Sequence, residues 1–431
     1  MTGGAHDQVP EPKILGRWRS PLRGLWLTSV LSVLLLVGIT ILFVTGLLSY
    51  AAYNPRLGSI NDFTPGRGVF GFYLFDWPTR PPWLFRLNQG VHVTLGIVLI
   101  PVILAKLWSV IPKLFVWPPV RTPANALERL TLLMLVGGVL FETVTGVLDI
   151  QYWYVFPFSF YTAHFYGAWV TIGAFAAHVI LKLPRMLAGL RSRSLRRELR
   201  TPLARTEPGS SVEDDELATE LASEPTISRR GLLALVGGSS VALFLVTAGQ
   251  TVGGAWRGIA VLAPRGRDYG SGPNDFPVNK TASYRHIKPS EMGSAWRLSL
   301  ANASGVVRSL SRDELLALRL HTYELPIACV EGWSTVQSWT GVCLADLARM
   351  SGVTAPESLL VESLQSGGEF GSALLSHDQV LDPSSLLALR VNGADLSADH
   401  GYPARIIVPA SPGVHNTKWV RRLTFAGRVT R

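Results

Sequence analysis

Five stretches of the chain stay apolar for long enough to cross a hydrocarbon layer of about 30 Å, which takes about 20 residues of helix. They run over roughly 25–49, 87–110, 128–149, 160–181 and 232–249, and each predicts an apolar helix. The first carries no charge between Arg23 and Arg56 and follows Lys13, Arg17, Arg19 and Arg23, which sets a cytoplasmic N-terminus. It is too long, and too well integrated with the later spans, to read as a cleaved signal. From that start, residues 50–86 and 150–159 lie outside the membrane and 111–127 and 182–231 inside. The fifth span leads the chain out.

The pattern changes twice more. Residues 201–228 read as a linker, with Pro202, Pro208, Gly209, Ser210, Ser211 and an acidic run from Glu213 to Glu216. From about 255 onward, Gly and Pro punctuate short β-type runs such as Leu359-Leu360-Val361 and Arg405-Ile406-Ile407-Val408. Ser311, with Glu314 three residues on, predicts an N-capped helix over 312–319. The expected architecture is multi-domain. An all-α transmembrane bundle of about four helices fills 1–190, a cytoplasmic basic and acidic linker 191–228, and a fifth, anchoring helix 229–254. An extracytoplasmic α+β, mainly β domain fills 255–431.

With 431 residues, 48% of them hydrophobic, the chain is too long for one ordinary domain and too apolar for a purely soluble one. The net charge of +10 sharpens the topology. Lys182, Arg185, Arg191, Arg193, Arg196, Arg197, Arg200 and Arg205 cluster directly after an apolar run, the placement of a cytoplasmic loop. No nucleic-acid motif accompanies them, so nucleic acid is not an expected partner. Cys329 and Cys343 are the only cysteines, too few for a disulfide framework or a thiolate zinc site.

Histidines mark the apolar half. His164 and His178 are 14 residues apart on the fourth span, which brings them within about 40° of one face and about 21 Å apart along the axis. His92 lies about five residues inside the outer end of the second span, which runs in the same direction, so His92 and His164 fall at similar depth. Intramembrane histidine is costly and usually functional, and neutral imidazole is a good iron ligand. The pair therefore predicts a bis-His b-type haem near the outer face, with hydrogen bonding between helices as the alternative. His178 is a candidate ligand for a second haem without an evident partner: the residue 14 after His92 is Lys106, so one haem is the better-supported number. Helix count and histidine placement resemble four-helix b-type cytochromes, in particular the haem membrane partner of periplasmic methionine sulfoxide reductases. Glu142, deep in the third span, suits either a proton path at a quinone site or a bond to a neighbouring helix. Gly66-Arg67-Gly68-Val69-Phe70-Gly71 matches a dinucleotide fingerprint but lies in a loop between spans, outside the strand-to-helix context that gives the pattern meaning.

Ser228-Arg229-Arg230-Gly231-Leu232-Leu233 stands directly before the fifth span and resembles a twin-arginine export signal, with positive-inside flanking as the plainer reading. That route carries folded proteins, as a domain with a cytoplasmically assembled cofactor requires.

The most specific chemistry gathers at Cys329. Leu325-Pro326-Ile327-Ala328-Cys329-Val330-Glu331-Gly332-Trp333-Ser334 is followed by Trp339-Thr340-Gly341-Val342-Cys343-Leu344. Further on come Val391-Asn392-Gly393, His400-Gly401-Tyr402-Pro403-Ala404-Arg405 and Lys418-Trp419-Val420. These blocks, from roughly 270 to the C-terminus, resemble the molybdopterin-binding domain of the sulfite oxidase family. The resemblance implies that Cys329 is the one protein ligand to molybdenum, as suits a soft thiolate. It implies that Arg405 and Lys418 are donors to the cofactor's phosphate, that His400 hydrogen-bonds the pterin or its phosphate, and that Asn279 is a weaker pterin contact. Cys343 reads as a packed thiol. His286, His321 and His377 have no supported role, and His415 falls close enough to Lys418 to touch the cofactor. Sulfite oxidases surround the ligand cysteine with arginines, whereas here Val330, Glu331, Gly332, Trp333 and Ser334 follow it, which disfavours sulfite and is more like the periplasmic methionine sulfoxide reductase branch.

The expected function is membrane-bound and molybdopterin-dependent. Electrons pass between a quinone or quinol pool and a small extracytoplasmic substrate through haem b, in oxygen-atom transfer such as S-oxide or N-oxide reduction. Two readings stay open at this point: oxidation of a small substrate with quinone reduction, and a cytochrome whose outer domain has lost its cofactor and only binds.

Overall fold

The structure, a computed structural model, describes residues 20–54, 57, 60, 75–115, 122–150, 160–209, 222–366 and 371–429. The glycine pattern at 66–71, the acidic run at 213–216 and Lys13, Arg17 and Arg19 lie outside the described residues. By contact the chain divides into two compact units. One comprises 1–40, 98–143 and 167–242, the other 41–97, 144–166 and 243–431.

The apolar runs form α1 (Leu25–Ala52), α2 (Leu84–Val98), α3 (Ile100–Leu114), α4 (Pro123–Asp149), α5 (Phe160–Ser192) and α6 (Arg229–Thr247). Four of the described helices are long and apolar enough to cross a membrane, or five if the bent pair α2 and α3 counts as one span. The expected uninterrupted helix over 87–110 is thus two, bent by 40° at Leu99. Pro101 supplies the reason, since it lacks an N–H and its ring would collide with the carbonyl of Ile97 one turn back. Leu99 turns inward at the break, where Gly38 leaves it room: a Cβ on Gly38 would stand 2.6 Å from the Leu99 Cδ1.

In the first unit every deeply placed cation has oxygen acceptors. Lys106 Nζ donates to Thr28 O at 2.9 Å and to Ser32 Oγ at 2.7 Å. Arg229, 2% exposed, pairs with Glu198 at 3.4 Å and donates to Pro21 O at 3.1 Å. The first arginine of the export-like motif is therefore engaged in the fold, while Arg230 is exposed. A buried cation needs such partners to offset desolvation.

The second unit holds two five-stranded sheets. Its strands are β1 (Leu298–Asn302), β2 (Gly305–Leu310), β3 (His321–Ala328), β4 (Ser334–Cys343), β5 (Val353–Ser363), β6 (Ser372–Ser376), β7 (Leu386–Val391), β8 (Ala394–Asp395), β9 (Arg405–Ile407) and β10 (Val420–Val429). One sheet runs β2-β1-β10-β5-β6, with β1 parallel to β10; the other runs β3-β4-β7-β8, with β9 on β7. Alternation of buried and exposed positions along β5 sends Leu359 and Val361 into the core with Leu298, Leu300, Val342, Leu387, Ile406, Leu423 and Phe425. The helix expected over 312–319 is capped reciprocally by Ser311 and Glu314 but ends sooner, as α7 (Arg312–Leu316). The chain leaves it early so that Leu318 and Leu320 reach the core on the way into β3.

Gly341 shows why one position of the Trp339 stretch must lack a side chain. The β4–β7 register shifts between Thr340 and Gly341, and a Cβ there would stand well inside van der Waals contact of the Leu387 carbonyl oxygen. Gly341→Ala is expected to destabilise by about 3 kcal/mol or more, because neither backbone can yield. Thermal unfolding of the full chain in detergent reads this as a drop in Tm; a Tm equal to the parent's would refute it.

Candidate functional site

Cys329 follows β3 and opens the loop that returns as β4, where Ala328 pairs with Ser334. The loop closes on itself: Cys329 N–H donates to Trp333 O at 3.0 Å, and Gly332 N–H donates to Cys329 O at 3.0 Å. Gly332 has φ +88°, a left-handed conformation that favours glycine. A Cβ at Gly332 would also come within 2.7 Å of Val93 on α2. Burial, first, and then the carboxylate of Glu331 raise the Cys329 thiol well above its ordinary value. Asn279 Nδ2 donates to Cys329 Sγ at 3.3 Å, so two residues singled out in the sequence meet.

The carboxylate beside the cysteine does not act as a free charge. Glu331, 5% exposed, is gripped by both donor edges of Arg265, one at 2.7 Å, and accepts from Trp333 Nε1 at 2.7 Å. Sequence reading missed Arg265 because it lies 66 residues away without any motif. Aromatic rings pack around these residues: Phe276 stacks on His400 with ring centres 3.7 Å apart, and Trp339 lies under the Arg405 guanidinium at 5.2 Å.

Arg405, on β9, donates from Nη1 to His400 O at 3.0 Å and from Nη2 to Asn416 O at 3.2 Å. Burial lowers its pKa to about 9. His400 Nε2 is bonded to Asn274 O at 2.9 Å, and burial, reinforced by Arg405, lowers its pKa to about 3, so the ring is neutral. Lys418 differs from expectation. Its ammonium donates to Asn279 O at 3.3 Å, Lys280 O at 2.6 Å and Asp399 O at 2.9 Å, which uses its three protons. Instead of offering donors to a phosphate it ties the Asn279 segment to the His400 segment.

Around these residues sit buried polar atoms that have no hydrogen-bond partner among the described residues: Asn279 Oδ1, Arg405 Nε, Asn416 Nδ2 and Thr417 Oγ1. Buried polar groups are normally satisfied, so a cluster of unmet donors and acceptors points to a polar ligand. His415 is 1% exposed, contacts Gln379 Nε2 through Nδ1 at 3.3 Å and faces the ring of Tyr53 at 6.3 Å. Asn416 and Thr417 carried no sequence signal beyond their place between His415 and Lys418.

Cys343 and His321, with Asp346, bring three possible ligand atoms within 4.8 Å of one another. Cys343 Sγ donates to Pro383 O at 3.4 Å and Asp346 pairs with Arg349, a packed thiol and a surface ion pair.

In the helices of the same unit, His92 on α2 and His164 on α5 face each other with ring centres 6.2 Å apart and planes at 86°. Thr45 Oγ1 lies 2.9 Å from His92 Nδ1, and Thr145 Oγ1 lies 3.0 Å from His164 Nδ1. Ile41 O lies 2.8 Å from the Thr45 hydroxyl, and the tautomer in which that hydroxyl donates there and accepts from Nδ1–H leaves the lone pair on His92 Nε2. A Cβ at Gly46 or Gly146 would stand 3.4 or 3.3 Å from the facing imidazole Cε1. Val44-Thr45-Gly46 on α1 and Val144-Thr145-Gly146 on α4 thus repeat one device: threonine orients the ring and glycine admits it. His178 belongs to the other unit, half-buried and without a hydrogen bond among the described residues.

Comparison with known proteins identifies the domain in which Cys329 lies. Residues 286–430 match the oxidoreductase molybdopterin binding domain. The uncharacterized oxidoreductase YuiH of Bacillus subtilis is 28% identical over 151 residues, 35% of this chain and 73% of that protein. The mitochondrial sulfite oxidase of Drosophila melanogaster is 34% identical over 96 residues, 21% of this chain and 17% of that one. The protein-methionine-sulfoxide reductase catalytic subunit MsrP of Xanthomonas axonopodis is 28% identical over 170 residues, 36% of this chain and 52% of that one. The chain thus spans about half of MsrP and a sixth of the sulfite oxidase.

Proposed function

We propose that this chain, an oxidoreductase by virtue of the molybdopterin-binding domain in residues 286–430, works as a membrane-spanning unit. In this reading it draws electrons from quinol through one b-type haem and spends them on small S-oxides or N-oxides outside the membrane. The observation that carries the reading is the His92–His164 pair. Two imidazoles on opposite sides of one metal ion, each bonded at about 2 Å, put their ring centres about 6 Å apart. These two stand at 6.2 Å with each Nδ1 held by a threonine, the outer-shell bond that orients a metal-ligating histidine.

The Cys329 pocket fits a molybdenum cofactor on the same kind of test. Cys329 would bind the metal as thiolate, with the Asn279 amide donating to its sulfur. Arg405 Nε, Asn416 Nδ2 and the Thr417 hydroxyl are buried, unmet donors suited to a pterin and its phosphate. Bound there, the cofactor supplies two-electron oxygen-atom exchange. The chain's own contribution is to keep the pocket short of spare charge. Glu331 is neutralised by Arg265, and Lys418 is saturated by carbonyls. Such a site favours a neutral dipolar oxide over an anion like sulfite, since an anion needs an uncommitted cation. The four or five apolar helices support residence in a membrane, and Glu142, a carboxyl within α4, is the candidate for a proton path at a quinol site.

Metal and haem content of the detergent-purified chain tests the reading. About one molybdenum and one b-type haem per chain are expected, with reduced haem reoxidised by an S-oxide. A chain from cells with intact cofactor synthesis that lacks molybdenum, or lacks a b-type absorption band, overturns it.

A further inference from the structure

Two amides are buried where an apolar helix has little use for them: Asn88 and Gln89 of α2 are 6% and 5% exposed. A buried amide is costly unless bonded, and both are bonded in one direction. Asn88 Nδ2 donates to Thr45 O at 2.9 Å and to Ser49 Oγ at 3.0 Å. Ser49 donates to Gln89 Oε1 at 2.7 Å. Gln89 Nε2 then donates to Val330 O at 2.8 Å, the peptide directly after Cys329. Thr45 and Ser49 are one turn apart on α1, so they share a face. The far end of the ladder is His92, held by Thr45. Hydrogen bonds joined through the covalent frame of Thr45 therefore link the His92 side to the Cys329 side, through residues outside the matched segment 286–430. One turn on from Gln89, Val93 packs on Gly332 of the Cys329 loop, so the loop is fastened at two points on the helix that carries His92.

Resting on the function proposed above, we infer that Gln89, with Ser49, is the positioning link that couples the two centres electronically by fixing the Cys329 loop to the His92 helix. Each passage would move one electron from the haem to the molybdenum; two passages, with two protons balanced by the two that quinol oxidation releases, would turn an S-oxide into a thioether and water. Neither side chain touches substrate.

The test uses the full chain, quinol-reduced and mixed rapidly with a small S-oxide, following the haem band. In Gln89→Leu, haem reoxidation is expected to slow tenfold or more. Molybdenum content, haem content, haem midpoint potential and the Mo(V) EPR spectrum should stay at parental values. Ser49→Ala, which breaks the ladder without touching the loop, is expected to slow it less and decides the matter if Gln89→Leu assembles poorly. Parental reoxidation rates in fully loaded variants overturn the inference and leave the proposed function standing. A parent chain without haem or molybdenum overturns both.

Discussion

Replacing Cys329 by serine is expected to lower S-oxide reduction by roughly a thousandfold, the loss of about 4 kcal/mol of barrier lowering. The fold should survive it. Cys329 is 5% exposed, its backbone N–H and C=O close the loop, and a hydroxyl fits the space of the thiol. What goes is a soft thiolate for a high-valent metal, which serine's oxygen does not replace. Burial also holds the free thiol protonated, so Cys329 without metal is a poor nucleophile and offers no substitute chemistry. Turnover with an S-oxide, beside circular dichroism and haem content, separates the outcomes. Parental turnover in Cys329→Ser would end the molybdenum assignment, whereas joint loss of turnover and secondary structure would mean that the loop itself had failed.

Replacing His92 or His164 by alanine is expected to abolish the reduced b-type band and quinol-driven turnover together. Losing one imidazole of the pair would leave the proposed haem one protein ligand short. Turnover with an artificial one-electron donor that reaches the outer domain directly should persist, because the Cys329 pocket is untouched. Thr45→Val should retain the haem and alter its midpoint potential, since the Nδ1 acceptor that makes the ligand more basic is gone. An unchanged absorption spectrum in both histidine variants would refute the ligand pair.

What the sequence told and what it withheld follow from the range of the forces involved. The apolar runs announced the helices because composition over about 20 residues is a local signal. The break at Leu99 was also local, but Pro101 within an apolar run had to be weighed against the hydrophobicity around it. Capping by Ser311 and Glu314 was legible; the early end of α7 was not, because it answers to where Leu318 and Leu320 must go. Cys329, Arg405, His400 and Asn279 were singled out by pattern, and the structure pairs Asn279 with Cys329 and Arg405 with His400. Arg265 escaped because an ion pair spanning 66 residues leaves no trace in either partner's neighbourhood. The Val-Thr-Gly repeat lay in plain view at 44–46 and 144–146, yet its meaning depends on which helix packs beside which.

The placing of the outer helix ends has a practical consequence for anyone wanting the catalytic domain by itself. Trp77 Nε1 donates to Ala410 O at 2.6 Å, Asn54 Nδ2 to Gln379 Oε1 at 3.0 Å, and Ala51, Ala52 and Phe85 cluster with Ala328 beside Cys329. A secreted fragment trimmed to the matched residues would carry the Cys329 loop bare on the side these segments cover, with carbonyls and an apolar patch turned to water. Expression of such a fragment calls for replacement surface chemistry at Ala328, Val330 and Gly332. Without it, the smallest well-covered version of the domain includes Ala51, Ala52, Asn54, Trp77 and Phe85, residues more than 200 positions before the matched segment.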